Sequence, residues 1–314
     1  MDGILHKITK IKSISKLDVM VVDDGSKDNT SEFALKYAQE FPDSIRVISK
    51  ENGGHGSAIN TGIQYAKGKY FKVVDADDWL DPVGMEEFIA ILESDNTDLV
   101  FTPFWIYNDK TKAKRLKNFK PKSLSWNRNY SINDNQLENL PSIHCYTIKT
   151  SILKNHDVKI DEHAYYVDVE YITYPLPYVK SYKFVDTPIY FYRVNQGEQS
   201  ISIEKMKKNK EQHEFVLKRL NEYVTGIDSS ISVRKLMVNR LSKMVAAQFK
   251  IISLCAISKE TIYELRSFND WVLDNTEVNL DEVNLPIRIL VKTNFWALPI
   301  IHCLAILKMK VVHA

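Results

Sequence analysis

Asp75-Ala76-Asp77-Asp78-Trp79 places three carboxylates within four residues, directly after the apolar run Tyr70-Phe71-Lys72-Val73-Val74. Crowded carboxylates repel one another and resist ionisation together unless something positive sits among them. Hard oxygen ligands of this kind suit Mg²⁺ or Mn²⁺ bridging to a diphosphate, where the ion offsets charge building on a leaving group. The competing reading is a solvated acidic turn that caps the helix opened by Pro82.

Three further stretches carry chemistry. Asp23-Asp24-Gly25-Ser26 follows an apolar run and precedes a helical pattern; its carboxylates can accept bonds from a base N–H or ribose hydroxyls, or simply cap the turn. Asn52-Gly53-Gly54-His55-Gly56-Ser57-Ala58 is a glycine-rich loop opening a helix, where backbone amides suit phosphate or sugar oxygens. It lacks the Gly-Lys-Ser/Thr of a Walker loop and is not GxGxxG, and a flexible connection is the alternative. Asp168 and Glu170 lie in Tyr165-Tyr166-Val167-Asp168-Val169-Glu170-Tyr171, where a carboxylate opening a helix is either a general base or an N-cap. A metal-dependent phosphatase would need Asp-x-Asp-x-Thr or Val, and Trp79 occupies the last place.

These acids need elements to hold them. Residues 17–104 alternate strand and helix: strands over 17–22, 45–48, 69–75 and 98–104, helices over 29–41, 57–66 and 82–92. That order predicts an α/β domain with a mainly parallel sheet and helices on both faces, with ligands at the carboxyl ends of the strands. Both acid clusters fall on that edge. Residues 105–141 read as a polar, basic connection. Beyond it come a helix near 168–176, strands near 182–185 and 189–192, and helices from about 203 to the end.

Composition narrows the class. The 314 residues carry a net charge of +2 and 26% charged residues, which gives no electrostatic footprint for nucleic acid. Cys145, Cys255 and Cys303 are scattered and form no CxxC, so a disulfide framework is not expected and a cytoplasmic setting fits. Residues 1–16 lack the continuous apolar run of a signal peptide. Residues 285–312 mix Arg288, Lys292, Lys308 and Lys310 with large apolar side chains. The uncharged stretch 293–307 is shorter than the ~20 residues a spanning helix needs, so either a peripheral contact with the inner face of a membrane or an interior helix is expected.

Taken together, the motifs resemble family 2 glycosyltransferases of the GT-A fold. The resemblance rests on Val21-Val22-Asp23-Asp24-Gly25-Ser26-x-Asp28-x-Thr30, Asn52-Gly53-Gly54-x-Gly56-x-Ala58-x-Asn60-x-Gly62, Ala66-x-Gly68-x-Tyr70 and Asp75-Ala76-Asp77-Asp78, in family order and spacing. It implies a GT-A domain over 1–202 followed by a helical region over 203–314. The family domain opens with a strand and a Pro-x-Tyr-Asn-like turn, and this sequence begins at about the helix after it, so the resemblance implies a domain shortened by that strand. The implied activity is sugar transfer, with inversion, from a nucleotide-diphosphate donor, commonly UDP-linked, to a hydroxyl of a glycan or lipid-linked acceptor. Asp23, Asp24, Asn52, Gly53, Gly54, Asp75, Asp77 and Arg193 would bind the donor, and Asp77 and Asp78 would hold Mg²⁺ or Mn²⁺. Asp168 would be the base, although Val167 replaces the usual preceding glutamate. Tyr192-Arg193-x5-Gln199-Ser200-Ile201-Ser202 resembles a family segment that closes over the diphosphate. The alternative is a non-catalytic GT-A remnant acting as a scaffold or a membrane-associated binding protein.

Overall fold

The computed structural model describes residues 2–194 and 203–312. The chain forms two compact units, Met1–Gln196 and Gly197–Ala314. In the first unit, α1 (Asp2–Ile8) precedes the βαβ sequence β1 (Val19–Asp23), α2 (Thr30–Glu40) and β2 (Ile45–Ser49). β1 and β2 pair in parallel from Val19↔Ile45 to Asp23↔Ser49. α3 (Gly54–Tyr65) starts within the glycine-rich loop itself. β3 (Tyr70–Phe71), β4 (Trp79–Leu80) and α4 (Pro82–Ser94) follow. The side chain of Asp81 accepts the Gly84 amide and proline occupies the first turn, two signals that start α4 where the sequence predicts.

β5 (Leu99–Phe101), β6 (Phe104–Asn108), β7 (Lys114–Lys117), β8 (Asn129–Ser131) and β9 (Tyr146–Lys149) come next, then α5 (Thr150–Asn155), α6 (Asp168–Thr173), β10 (Ser181–Phe184) and β11 (Tyr190–Val194). The basic connection at 105–141 therefore holds strands, including the β6–β7 hairpin. Three sheets result, β1-β2, β3-β9-β5-β10-β8 and β4-β11-β6-β7. β1–β2, β5–β10 and β6–β11 are parallel, and the other five pairings are antiparallel. A parallel neighbour needs a long crossover, which the chain supplies between β1 and β2 but not within the β6–β7 hairpin.

Only Tyr70 and Phe71 of the strand expected over 69–75 pair, against Lys149 and Ile148. β1 and β3 are both edges of their sheets, and residues 72–75 have no ladder partner among the described residues. The core of this unit is aromatic: Tyr146, Tyr171, Tyr182, Phe101 and Phe184 are fully buried, and the Phe101 ring lies 5.8 Å from Tyr146 and 5.0 Å from Phe184.

The second unit is helical, with α7 (Ile203–Lys208), α8 (Lys210–Gly226), α9 (Arg234–Ser253), α10 (Lys259–Asn275), α11 (Leu285–Lys292) and α12 (Leu298–Val312). Val216, Leu217, Leu220, Val245, Phe249 and Leu265 form its dry centre. His213, buried there, donates through Nδ1 to Gln248 Oε1 at 2.8 Å, and burial lowers its pKa. That imidazole is a satisfied core group. No helix of the described residues is long and apolar enough to cross a membrane.

Candidate active site

At the carboxyl end of β1, Asp23 and Asp24 face opposite sides of the strand. Asp23 accepts the Ser26 amide at 2.9 Å, and its bonds to Ser26 hold its pKa below the ordinary carboxylate value. Asp24 reaches across to the glycine-rich loop. Its Oδ1 and Oδ2 accept the Gly53 and Gly54 amides at 2.9 and 2.7 Å, and Lys50 Nζ lies 2.8 Å from Oδ1. Burial works to raise its pKa, but Lys50 and the two amides outweigh it and the net shift is down. Asn52 Nδ2 donates to the Asp24 carbonyl at 2.8 Å, and Gly25, at φ 77°, lets the backbone turn toward that contact. The amides expected to cradle phosphate are thus given to a carboxylate of the chain itself.

The loop before Asp168 is tied to the same helix. Asn60 clamps Ile160, donating to its carbonyl and accepting its amide at 2.8 and 2.9 Å. His163 donates its amide to the Gly53 carbonyl at 2.6 Å. A Cβ on Gly56 would overlap the Asp161 carbonyl oxygen, so the third glycine of the motif is needed for close backbone approach. Buried Glu170, in the first turn of α6, accepts the Asp161 amide at 2.8 Å, and burial raises its pKa. Asp157, His163 and Tyr166 adopt φ of 47°, 55° and 69°, a conformation costly for side-chain-bearing residues that persists where surrounding contacts over-determine it. Half-buried Asp168 opens α6 at the end of this braced loop.

The second acid cluster is built by β4 and β11, which pair as Phe191↔Trp79 and Tyr190↔Leu80. That pairing lays the Asp75–Asp78 turn against β11. Alternate residues of β11 divide between its faces. Tyr190 and Tyr192 turn toward the acids, whereas the Phe191 ring stacks on Trp79 at 5.0 Å. The Tyr190 hydroxyl donates to Asp78 Oδ2 at 2.6 Å and accepts the Asp75 amide at 3.2 Å. Asp78 Oδ1 accepts the Arg193 amide at 2.7 Å. Asp78 is 1% exposed, and burial pushes its carboxyl up to about 7.

A histidine completes this cluster. His144 lies in the 3-10 turn Ile143–Cys145, and its Nε2 sits 3.5 Å from Asp75 Oδ2 and 3.8 Å from Asp78 Oδ2. Ligand atoms of Asp75, Asp78 and His144 all fall within 4.8 Å of one another. Rings of Phe104, Tyr190 and Tyr192 surround the imidazole at 5.1, 5.1 and 4.3 Å. Lys72 donates from beneath to the His144 carbonyl at 2.7 Å, and burial lowers the lysine to about 8. Asp75 is opposed by His55 on its other oxygen at 4.0 Å; burial would raise its pKa, but the two histidines bring it down.

Two carboxylates and an imidazole offer oxygen and nitrogen donors, a set that suits Mn²⁺ better than Mg²⁺, which takes oxygen almost exclusively. The three ligand atoms lie within 4.8 Å of one another, close enough to share one ion. A divalent cation therefore fits the residues present.

The sequence-derived site residues are distributed as follows. Asp75 and Asp78 belong to the close cluster. Asp77 is exposed at its edge, with its carbonyl accepting from Arg193 Nη1 at 3.2 Å. The Arg193 guanidinium also holds Asp109 at 3.0 Å and lies 5.8 Å over Trp79. Asp168 approaches the same region: burial first, and then the charges of Asp78, Asp77, Asp75 and Asp168, raise the Tyr192 phenol to about 12. Asp23, Asp24, Asn52, Gly53 and Gly54 gather at the start of α3, and His55, next in the chain after Gly54, approaches Asp75 of the second cluster at 4.0 Å. Gln199, Ser200, Ile201 and Ser202 lie outside the described residues. His144, Lys72 and Tyr190 were not legible as site residues, and Tyr192 was legible only as the start of the segment Tyr192-Arg193-x5-Gln199-Ser200-Ile201-Ser202. The one signal for them is the alternation Tyr190-Phe191-Tyr192-Arg193, an aromatic strand with polar tips on one face.

Residues 3–157 match the family described as Glycosyl transferase family 2. That segment is a family 2 glycosyltransferase domain. The minor teichoic acid biosynthesis protein GgaB of Bacillus subtilis is 26% identical over 214 residues, covering 67% of this chain and 23% of that protein. The chain spans 27%, 54% and 18% of the lengths of the first three curated relatives it matches. In fold, the chain is similar to TarS residues 1–349 of S. aureus, solved with UDP-GlcNAc, at TM-score 0.51 and 16% identity over 93% of this chain and 87% of that one. It is also similar to the mannosyltransferase PcManGT of Pyrobaculum calidifontis, solved with GDP-Man and Mn²⁺, at TM-score 0.51 and 13% identity over 96% of this chain and 81% of that one. Both likenesses place the fold in the GT-A class, with a helical C-terminal region.

Proposed function

We propose that this chain transfers a sugar from a nucleotide-diphosphate donor, UDP-linked in our reading, to a hydroxyl of a glycan or lipid-linked acceptor. The observation that carries the reading is the convergence of Asp75, Asp78 and His144 within 4.8 Å of one another, in a family 2 domain. Asp75, Asp78 and His144 would hold a divalent cation, Mn²⁺ by the donor set, with exposed Asp77 at the side open to solvent. When bound, the ion offsets negative charge on the departing diphosphate.

The chain's own residues do the rest. Asp24 fixes the glycine-rich loop, and Asp23 and Asn52 beside it form the edge where the nucleoside would rest. Arg193 adds positive charge next to Asp77. Asp168 takes the proton from the acceptor hydroxyl as that oxygen bonds to the anomeric carbon and the carbon–diphosphate bond breaks. Attack from the face opposite the leaving group inverts the anomeric centre. GgaB supports a polymeric cell-surface glycan as acceptor, by likeness alone, and work at the cytoplasmic leaflet would bring the enzyme to a lipid-linked one.

Isothermal titration of the chain with UDP, with and without Mn²⁺, tests this. Micromolar, Mn²⁺-dependent binding is expected. Absence of binding at millimolar nucleotide would refute the donor site and favour the non-catalytic scaffold.

A further inference from the structure

We infer that the outer face of α11 and α12, with the turn between them, docks on an anionic lipid surface. The two helices each have a buried side. Ile287 and Leu290 of α11 and Leu298 and Ile301 of α12 are at most 7% exposed. His302 Nδ1 donates to the Ser253 carbonyl at 2.7 Å and fastens α12 to the end of α9. The opposite side is also apolar. Leu285 is 58% exposed and Ile289 37%; on α12, Ile300, Leu304 and Leu307 are 67%, 55% and 60% exposed. Positions 300, 304 and 307 follow helical spacing, so α12 carries apolar side chains on both faces.

The turn adds the strongest sign. Asn294 and Phe295 take φ of 47° and 68° in succession. Such strain on side-chain-bearing residues points to a purpose. Its effect is to send neighbouring aromatics in opposite directions. Phe295 is 3% exposed and stacks on Phe249, whereas Trp296 is 82% exposed. An indole held out in water next to an apolar stripe is the arrangement of an interfacial anchor.

Charge selects the partner. From 285 to 312 there are four basic residues, Arg288, Lys292, Lys308 and Lys310, and no Asp or Glu. The Arg288 guanidinium donates to the Asp281 carbonyl at 3.2 Å, but helical spacing puts Lys292 on the side of Ile289 and Lys308 on the side of Leu304, and two copies meeting through this face would bring those positions together. An anionic headgroup layer answers both the stripe and the charge. Lys292 pairs with Asp281 at 3.1 Å, but both side chains are about 70% exposed, 68% and 71%, and such a pair yields readily. Among the described residues no helix is long and apolar enough to cross a bilayer, and in this reading α11 and α12 lie on it.

Co-sedimentation of the full chain with vesicles tests the surface. Binding is expected to phosphatidylcholine vesicles containing phosphatidylglycerol, to weaken on phosphatidylcholine alone, and to weaken again at about 0.5 M salt, where charges are screened within a few ångströms. Trp296→Ala with Leu304→Asp should reduce partitioning about tenfold or more, because apolar insertion drives it. Both side chains are exposed, so the thermal midpoint should stay put. The proposal is overturned if the unmodified chain stays in the supernatant with anionic vesicles, or if the double variant binds as well. Light scattering without lipid adds a third refutation: a dimer that Leu304→Asp dissociates would make the face an interface between copies. No nucleotide enters these assays, so their failure leaves the UDP titration untouched.

Discussion

Asp23-Asp24 and Asp75-Ala76-Asp77-Asp78 are both acidic strand ends, yet the fold treats them in opposite ways. Around Asp24, each carboxylate oxygen meets a backbone N–H and a lysine stands beside them, so the acid is held ionised and its charge is spent. Around Asp78, burial dominates and the acid is pushed toward neutrality at about 7. In the first cluster Asp24 is already engaged by the fold. The other is a desolvated group with an imidazole aimed at it, ready for a cation. Acidic residues at a sheet's ligand edge are therefore not one kind of site. The count of donors already aimed at each oxygen separates the two.

The largest effect that would break this contrast is on transfer. Asp77 is exposed and edges the second cluster, where it would act through the cation, so Asp77→Ala should lower turnover by about 100-fold, the upper end for loss of a group that orients a bound metal. Its urea midpoint should not move. Unchanged turnover with Mn²⁺ and a UDP-sugar would confine the chemistry to the buried acids. Asp24→Ala should behave differently. It strands two amides and Lys50, and should cost about 2–4 kcal/mol of unfolding free energy. Urea unfolding with an unshifted midpoint would show that the glycine-rich loop holds its shape without Asp24.

The two clusters also differ in how far they were legible. Asp23-Asp24, the glycine-rich loop and Asp75–Asp78 are local patterns, each set by a strand, a tight backbone and a helix start within a few residues. The first βαβ unit, α4 and the helical second unit followed from periodicity and capping for the same reason. What completes the second cluster is not local. Tyr190 meets Asp75 and Asp78 across sequence separations of 115 and 112 residues, and Lys72 meets His144 across 72. Those contacts are made by the β4–β11 pairing and by a 3-10 turn, and Tyr, Lys and His in such places usually mean ordinary packing. β3 fell short of its expected length because, among the described residues, only Tyr70 and Phe71 find a ladder partner, and periodicity does not report which residues will pair.

A smaller effect separates positioning from chemistry in the loop before Asp168. Buried Glu170 holds the Asp161 amide, and burial raises its carboxyl above the ordinary 4.5. In the unfolded chain the group ionises at the ordinary value, so as pH rises past 4.5 the unfolded state loses its proton first and the folded state loses relative stability. The loss stops growing once the native carboxyl ionises as well. Glu170→Gln keeps the acceptor and removes the proton equilibrium. The variant should therefore gain on the parent by about 1–2 kcal/mol between pH 5 and pH 8. Parallel stability curves in urea melts at the two pH values would mean that Glu170 ionises normally and the loop is braced by Asn60 and Gly53 alone.

The smallest expected effect is the most discriminating. His144 supplies one of three clustered ligand atoms, and Asp75 and Asp78 remain as two carboxylate ligands without it. His144→Ala should therefore weaken Mn²⁺ binding by about tenfold rather than abolish it, as read by calorimetry in the absence of nucleotide. Stability should drop modestly, since the ring packs among Phe104, Tyr190 and Tyr192. His144→Phe keeps that packing and removes only the nitrogen. Equal Mn²⁺ loss in both variants makes the imidazole a ligand. Loss in the alanine variant alone makes it a wedge that holds Asp75 and Asp78 apart. If neither variant loses affinity, the ion binds on the exposed side at Asp77, and the buried carboxyl of Asp78 joins Asp24 as an acid used for structure.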